Sequence, residues 1–163
     1  MTPKEFQKQI DKMRSTAPDF VDRLAPLVAA NIAIKEFKHN FQTESFNGIK
    51  WKEVQRRDGK SATYKYAAKH HPARTTRKIL TGDTGDLGRS IELKGVDKGR
   101  ATVWTSPNNF TSKEPYGAVH NEGLKAGRGI GFTMPKRQFI GDTPALRDKI
   151  TVALGKQIER LLK

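Results

Sequence analysis

The sequence predicts an α+β fold with long N-terminal helices, a small antiparallel β-sheet and a C-terminal amphipathic helix packed on that sheet. Apolar residues recur at helical spacing between residues 19 and 41. They alternate with polar residues between 90 and 105, and they return to i+4 spacing over 146–161. Helical spacing is typical of an amphipathic helix, and strict alternation is typical of a half-buried strand.

The length of 163 residues is typical of one domain, residues 1–163. We divide it into a helical N-terminal part (1–43), a basic loop segment (44–78), and a part that holds the sheet and the last helix (79–163). Hydrophobic residues make up only 35% of the chain. The core must therefore be thin, and burial against partner subunits would add to its stability.

The N-terminal helices begin at a well-formed cap. Thr2 and Glu5 have the spacing of a capping box, and apolar residues follow at helical spacing as far as Arg14. A second helix is predicted over residues 15–41, and Pro26 should kink it or mark its true start. Apolar residues occupy more than one face of this helix, so we expect one face to be buried against a neighbouring subunit.

Basic residues dominate the next segment. Between Trp51 and Lys78 there are nine lysines and arginines against two acidic residues, which is half of the net charge of +14. Helical periodicity is lost from Lys52 to Thr76, so we predict a long, mobile loop with a short helix around 64–69. Such a loop is often functional, and a solvated insertion is the equal alternative. The candidate interaction residues are Arg56, Arg57, Lys60, Lys65, Lys69 and Arg74.

A turn over residues 81–86 separates the helical half from the sheet half, because two glycines lie there among aspartate and threonine. A short helix over 77–80 is expected before it. Residues 87–105 should form a β-hairpin with its turn at 97–99. Leu87 is expected at the entry to the first strand, with its side chain in the core.

The chain between this hairpin and the last helix is expected to contain little regular structure. Residues 116–123 could form a third strand or a short helical turn. Residues 124–133 are rich in glycine and predict a flexible basic loop, and 134–141 predict an extended segment. Thr143 is the expected cap of the last helix, with Pro144 at its first position.

The residue types and spacings do not indicate catalysis. The chain has no cysteine, which excludes disulfides and thiol chemistry. Asp83, Asp86 and Glu122 could form the carboxylate cluster of a metal nuclease, but aspartates beside turn glycines are expected for backbone reasons alone. We therefore expect no enzymatic activity, no metal and no cofactor. No apolar run approaches the roughly 20 residues that span a bilayer, so no membrane association is expected.

Three short blocks follow the basic segment: Thr84–Ile91 (TGDLGRSI), Tyr116–Gly123 (YGAVHNEG) and Pro135–Gly141 (PKRQFIG). In this order, and with a helix after the third, they resemble the phage virion morphogenesis family of tail-completion proteins. Two departures are that Gly117 stands where the family usually has alanine, and that the basic insertion before Ile79 is long. The positions that carry the resemblance are Thr84, Gly85, Leu87, Ser90, Ile91, Tyr116, His120, Gly123, Pro135, Arg137, Phe139 and Gly141.

The resemblance implies a non-enzymatic structural protein of a tailed phage or prophage. Such proteins act in tail completion or head–tail (neck) joining, usually as rings, and are assembled into virions in the cytoplasm of the bacterial host. The implied partners are other tail or neck proteins and further copies of this chain, with the loops over 52–76 and 124–133 becoming ordered against neighbours. The alternative is a basic nucleic-acid-binding protein, because a net charge of +14 attracts phosphates.

Overall fold

The computed structural model describes residues 2–107, 116–127 and 130–162 and is a mixed fold of helices and small sheets. The predicted α+β class is confirmed: a long helix begins the chain, a second long helix ends it, and the strands form small antiparallel sheets. The helices are α1 (Pro3–Asp19), α2 (Ala25–Thr43), α3 (Ala62–His70), α4 (Ala73–Thr76), α5 (Asp86–Arg89), α6 (Gly117–Glu122) and α7 (Pro144–Leu162).

The strands pair as three separate hairpins within the described part of the chain, so the predicted small sheet is divided into three. The two strands of each hairpin are consecutive in sequence. The first and third hairpins are antiparallel, with Ser45 opposite Lys50 and Lys125 opposite Thr133. The strands are β1 (Ser45–Phe46), β2 (Ile49–Lys50), β3 (Ile91–Asp97), β4 (Arg100–Thr105), β5 (Lys125–Ala126) and β6 (Phe132–Thr133).

Contacts divide the chain into two compact units, each built from segments that are distant in sequence. Unit 1 contains Met1–Glu36, Leu93–Trp104 and Asp142–Lys163, and unit 2 contains Phe37–Glu92 and Thr105–Gly141. The single domain that the length predicts stays a prediction.

The N-terminal helix is continuous where a break was predicted near residue 15. The capping box is present, since Glu5 N–H donates to the Thr2 hydroxyl (3.3 Å) and Thr2 N–H donates to the Glu5 carboxylate (2.6 Å). Ser15 and Thr16, which could have capped a second helix, instead donate their hydroxyls to the Lys12 carbonyl oxygen (2.9 and 2.8 Å). Hydroxyls that bond back to the preceding turn are compatible with a helix interior. The predicted break near residue 15 was therefore wrong.

A π-helical turn, Phe20–Leu24, joins α1 to α2. Its cause is Pro26, which has no N–H and whose ring would clash with the Asp22 carbonyl in a regular α-helix. The backbone widens by one residue, so that Ala25 N–H bonds to the Phe20 carbonyl oxygen. The predicted disturbance at Pro26 thus takes the form of a π-bulge just before α2.

The hairpin β3–β4 supplies a hydrogen bond to the Asp22 carbonyl oxygen. In a regular helix the N–H of residue 26 would bond to this oxygen, but Pro26 has no N–H. Lys98 and Gly99 both have positive φ, 43° and 77°, which is the conformation of a type I′ turn and confirms the predicted turn. In such a turn the second central N–H is not used by the strand ladder. Gly99 N–H donates instead to the Asp22 carbonyl oxygen at 3.0 Å. One missing donor in the helix is therefore replaced by one spare donor in the hairpin.

Pro26→Ala is expected to increase amide hydrogen exchange at Gly99 by roughly 2- to 10-fold, the equivalent of one ordinary hydrogen bond. The new alanine N–H would compete with Gly99 for the Asp22 carbonyl oxygen. Exchange followed by NMR on the full chain measures the effect. Pro18→Ala is the matched control, because Pro18 also lies inside the helix, in α1, and should leave Gly99 unchanged. Equal protection of Gly99 in the wild type and in Pro26→Ala would contradict the assignment.

Helix α7 begins as predicted. Thr143 accepts the N–H of Leu146 at 3.1 Å, and Pro144 is the first helical residue. Leu146 is buried, and Lys149 pairs with Glu36 at 2.5 Å. Within unit 1, α7 contacts α1. The packing of α7 on a sheet stays a prediction.

Residues 52–76 are mostly helical, so the prediction of a long loop there was wrong. They contain a 3₁₀ turn (Gln55–Arg57) and the helices α3 and α4, and α3 covers the short helix predicted around 64–69. Ser61 caps α3 by accepting the N–H of Tyr64 at 3.0 Å, and Ala67 is the one buried residue of α3. An alanine-rich helix with a single buried position leaves almost no apolar periodicity in the sequence.

The turn predicted over 81–86 is present, with Gly82 and Gly85 at φ of 54° and 72°. Leu87 is buried as predicted, but it lies in the helical turn α5 and not at the start of a strand. The N–H of Ser90 bonds to the Asp86 carbonyl at 2.8 Å, which closes this turn, and the strand starts only at Ile91. The short helix predicted before the turn, over 77–80, is also absent from the structure.

The segments between β4 and α7 agree only in part with expectation. Of the two alternatives for 116–123, the helical one is correct, as α6. The flexible loop expected over 124–133 contains the hairpin β5–β6, and its residues 128 and 129 lie outside the described residues. Residues 134–141 have no helix or strand, as expected for an extended connection.

Candidate functional site

The three sequence blocks come together in unit 2, where apolar residues of the first and third blocks are buried. Leu87, Ile91 and Phe139 are at most 1% exposed, and Ser90 is fully buried with its hydroxyl donating to the Leu87 carbonyl at 2.7 Å. Asn121, from the second block, accepts the N–H of Phe139 in the third block at 2.9 Å. Leu87, Ser90, Ile91 and Phe139 therefore belong to the buried core of unit 2.

The end of α2 holds the third block in place. The Phe41 ring lies 5.0 Å from the Phe139 ring and 5.6 Å from the Trp51 ring. Asn40 donates to the Phe139 carbonyl at 3.1 Å, and the Trp51 indole N–H donates to the Gln138 carbonyl at 2.7 Å. Trp51 thus anchors its segment to the core of unit 2, whereas Ile49 is 74% exposed and does not.

The remaining block positions are less buried. Thr84 is exposed, and Tyr116, Pro135 and Gly141 are half-buried. Gly123 has a φ of 72°, a backbone conformation that favours glycine.

Gly117 lies against the side chain of Thr105, which limits the residue that fits there. A β-carbon at this position would lie 2.6 Å from the Thr105 hydroxyl oxygen and 3.0 Å from the Thr105 methyl group. Alanine therefore does not fit against Thr105 without displacing a β-branched side chain, which has few rotamers to choose from.

A cavity of about 450 Å³ lies beside these blocks. All three blocks contribute to its wall, through Leu87, His120 and Arg137 among others, and the basic segment and residues 79–83 supply the rest. We call it the basic cavity. Its charged and polar side chains are those of Arg56, Arg74, Arg77, Asp83, Tyr116, His120 and Arg137.

Two arginines of the basic cavity are held by backbone carbonyls. Arg56 donates through Nη2 to the carbonyl oxygens of Arg77 and Lys78, both at 2.8 Å. Arg137 is 6% exposed and donates through Nε to the Lys52 carbonyl at 3.0 Å. Burial lowers the pKa of both guanidinium groups, and neighbouring arginines add to the lowering at Arg56. The charges of Glu44 and Glu53 oppose the lowering of the pKa at Arg56, and that of Glu53 opposes it at Arg137.

The other two arginines share one carboxylate. Arg77 and Arg74 both donate to Asp83, the latter at 3.4 Å, and the hydrogen bond and charge of Arg77 lower the Asp83 pKa. Asp83 lies in the turn before α5 and its side chain is 61% exposed. It therefore stays ionised and neutralises part of the charge of two arginines.

His120 lines the basic cavity, and its imidazole ring is uncharged at neutral pH. Burial and the charge of Arg137 lower its pKa. Its ring lies edge-on to Tyr116, with the centroids 5.8 Å apart. Its Nδ1 atom is buried and has no hydrogen-bond partner among the residues that the structure describes.

The six candidate interaction residues separate into two groups. Arg56, Arg57 and Arg74 are engaged in the contacts of unit 2. Lys60, Lys65 and Lys69 are exposed, and their side chains make no ion pair or hydrogen bond within the described ranges. The three lysines form the free basic surface of this segment.

Glu44 is a residue that the sequence analysis missed. It follows the last residue of α2 at a φ of 52°, a conformation that is unfavourable for glutamate. Its carboxylate accepts from Arg57 Nη1 at 2.7 Å and from Ile79 N–H at 2.6 Å. Partial burial opposes ionisation, but the contacts from Arg57 and Ile79 and the charge of Lys78 outweigh it and lower the Glu44 pKa. The only sequence signal is an isolated acid before a basic run.

Glu44→Gln is expected to lower the free energy of unfolding at pH 7 by about 1–2 kcal/mol, from the loss of a partly buried, charge-assisted contact. Because the folded state lowers the Glu44 pKa, the carboxylate stabilises the fold above the unfolded value of about 4.3. The difference between wild type and variant should therefore shrink as pH falls below that value. Urea unfolding at several pH values measures it.

Glu53→Gln is the matched control, since Glu53 also pairs with Arg57, at 3.5 Å, but is 58% exposed. Its effect should stay within about 0.5 kcal/mol. A Glu44 effect that does not change between pH 7 and pH 3 would show that the carboxylate charge is not the cause.

The three carboxylates considered as a metal site do not form a cluster, because each pairs with a different basic residue. Asp83 pairs with Arg77, Asp86 with Arg89, and Glu122 with Lys136 at 3.7 Å. No group of three or more histidine, aspartate or glutamate residues with metal-binding geometry occurs in the part of the chain that the structure describes. The same part contains no helix of the length and apolar character needed to cross a membrane.

Comparison with known proteins finds no matching family model, no matching curated protein and no matching solved structure. The resemblance to tail-completion proteins therefore stays a prediction that rests on the three blocks.

Proposed function

We propose that this chain is a structural protein of tailed-phage virion assembly, acting in tail completion or head–tail joining by binding other virion proteins and copies of itself. The observation that carries the proposal is that the three blocks of the resemblance, separated by up to about fifty residues, line one cavity through Leu87, His120 and Arg137, and that Asn121 of the second block accepts the N–H of Phe139 in the third. Contact between the blocks is what a family motif with one shared structural role requires.

Helix α1 supports the self-association part of the proposal. It buries none of its own residues, and it leaves Phe6 55% exposed and Met13 40% exposed on one helical face. Apolar side chains that recur on one face of a helix are stabilised when a partner covers them. Exposed apolar residues of unit 2, Ile49 and Phe132, offer a further contact area.

Deleting the reading frame from the phage or prophage that encodes it tests the assembly role. Electron microscopy should then show heads and tails that are formed but unjoined, and a plasmid copy of the wild-type chain should restore joined particles. Plasmid copies with Phe6→Ser and Met13→Ser should restore fewer. Normal infectious particles from the deletion strain would refute the proposal.

The second candidate is nucleic-acid binding, which one observation favours. Tyr66 is 61% exposed on α3, the helix that also carries Lys65 and Lys69. Aromatic rings and lysines together can bind single strands through stacking and phosphate contacts. If this is the function, replacing Lys60, Lys65 and Lys69 with glutamine should reduce the salt dependence of binding by roughly 2 to 3 in the log–log slope. No binding at moderate salt would favour the assembly role.

A further inference from the structure

The basic cavity carries more positive charge than its own carboxylate balances. Four arginines line it, and Asp83 is the only acidic residue on its described wall. His120 does not add a charge at neutral pH, since burial and Arg137 lower its pKa. A concave site with convergent guanidinium groups is the usual protein arrangement for binding an oxyanion.

Arg137 brings to this wall two donor nitrogens that no described protein group uses. Arg137 is only 6% exposed, and its Nε donates a hydrogen bond to the Lys52 carbonyl oxygen. Its two terminal nitrogens make no hydrogen bond to any described residue, although Arg137 lines the cavity. Neither terminal nitrogen is closed off from solvent, so both are open to a ligand oxygen that enters the cavity.

Asp83 indicates the type of group that the wall accepts. Its carboxylate contacts both Arg74 and Arg77 from an exposed turn between two glycines that have positive φ. A carboxylate or phosphate from another molecule could be bound by the same guanidinium groups. It would then compete with Asp83 for Arg74 and Arg77.

We propose that the basic cavity is a binding site for one oxyanion, a carboxylate or a phosphate, that contacts Arg137 together with Arg74 and Arg77. Asp83 acts as an internal competitor for the last two. The volume of about 450 Å³ accommodates a small molecule or the end of a flexible chain. This inference does not depend on the assembly role.

The test is an NMR titration of the full chain at low ionic strength, with inorganic phosphate in one arm and glutarate in the other. Saturable shifts at His120 and at the Arg137 side chain are expected with at least one of them, and the arm that binds more tightly identifies the class of oxyanion. Arg137→Gln should weaken binding at least tenfold. Asp83→Asn should strengthen it by roughly threefold or more, which a merely damaged fold would not do.

Matched controls separate a site from general charge. Arg160→Gln and Asp148→Asn make the same two charge changes on exposed positions of α7, and each should alter affinity less than twofold. Arg77→Gln, at a side chain that is 27% exposed, replaces Arg137→Gln if circular dichroism shows that the latter does not fold. Equal affinity in the wild type, Asp83→Asn and the arginine variant would overturn the proposal, as would shifts confined to Lys60, Lys65 and Lys69.

Discussion

Phe139→Ala is expected to lower the free energy of unfolding by about 3–5 kcal/mol, the range for removing a fully buried phenylalanine. The side chain is 0% exposed and its ring packs 5.0 Å from the ring of Phe41. The backbone on both sides is held by Asn40 and Asn121, so the chain has little freedom to collapse into the space left by the ring. A cavity that cannot close leads to a cost in the upper part of the range.

Urea unfolding followed by circular dichroism, at fixed pH and salt, measures this difference. Phe132→Ala is the matched control, because the same ring is removed from a position that is 57% exposed, and its effect should stay within about 0.5 kcal/mol. A loss below about 1 kcal/mol for Phe139→Ala would mean that the third block is not in the core.

The same residues explain how much of the fold could be predicted. The start of α1, the start of α7 and the turn before α5 were predicted because each depends on residues within four positions: Thr2 with Glu5, Thr143 with Leu146, and Gly82 with Gly85. Capping and turn chemistry is local, so it is visible in sequence. Most of helix α3 could not be predicted from the sequence, because its stability comes from a cap and one buried alanine.

The basic cavity was not predictable for a different reason. Arg56 and Arg137 are 81 positions apart, and no local pattern reports that they share a wall. The composition showed an excess of positive charge but not which cations have partners. The structure distinguishes the cations that have partners from those that do not. Arg57 donates to the Glu44 carboxylate, whereas the terminal nitrogens of Arg137 have no acceptor among the described residues. That distinction depends on tertiary contacts alone.

Leu87→Ala is expected to lower the free energy of unfolding by about 2–5 kcal/mol, since the side chain is 1% exposed. Leu87 also lines the basic cavity, so its truncation would enlarge an existing space, and adjoining solvent could partly relieve the cost. Leu124→Ala, at 48% exposure, is the control and should change stability by less than about 1 kcal/mol.

A second substitution distinguishes the helical turn α5 from the strand that the sequence predicted. In a helical turn Leu87→Val loses one methylene and gains a β-branch that restricts χ1, so it should cost about 1–2 kcal/mol. At a strand entry the β-branch would be favoured and the cost would be smaller. Gly85 precedes α5 at a φ of 72°, a conformation that is unfavourable for alanine. If the turn is formed as described, Gly85→Ala should therefore also lower the free energy of unfolding. A stable Leu87→Val together with a stable Gly85→Ala would therefore place Leu87 in a strand after all.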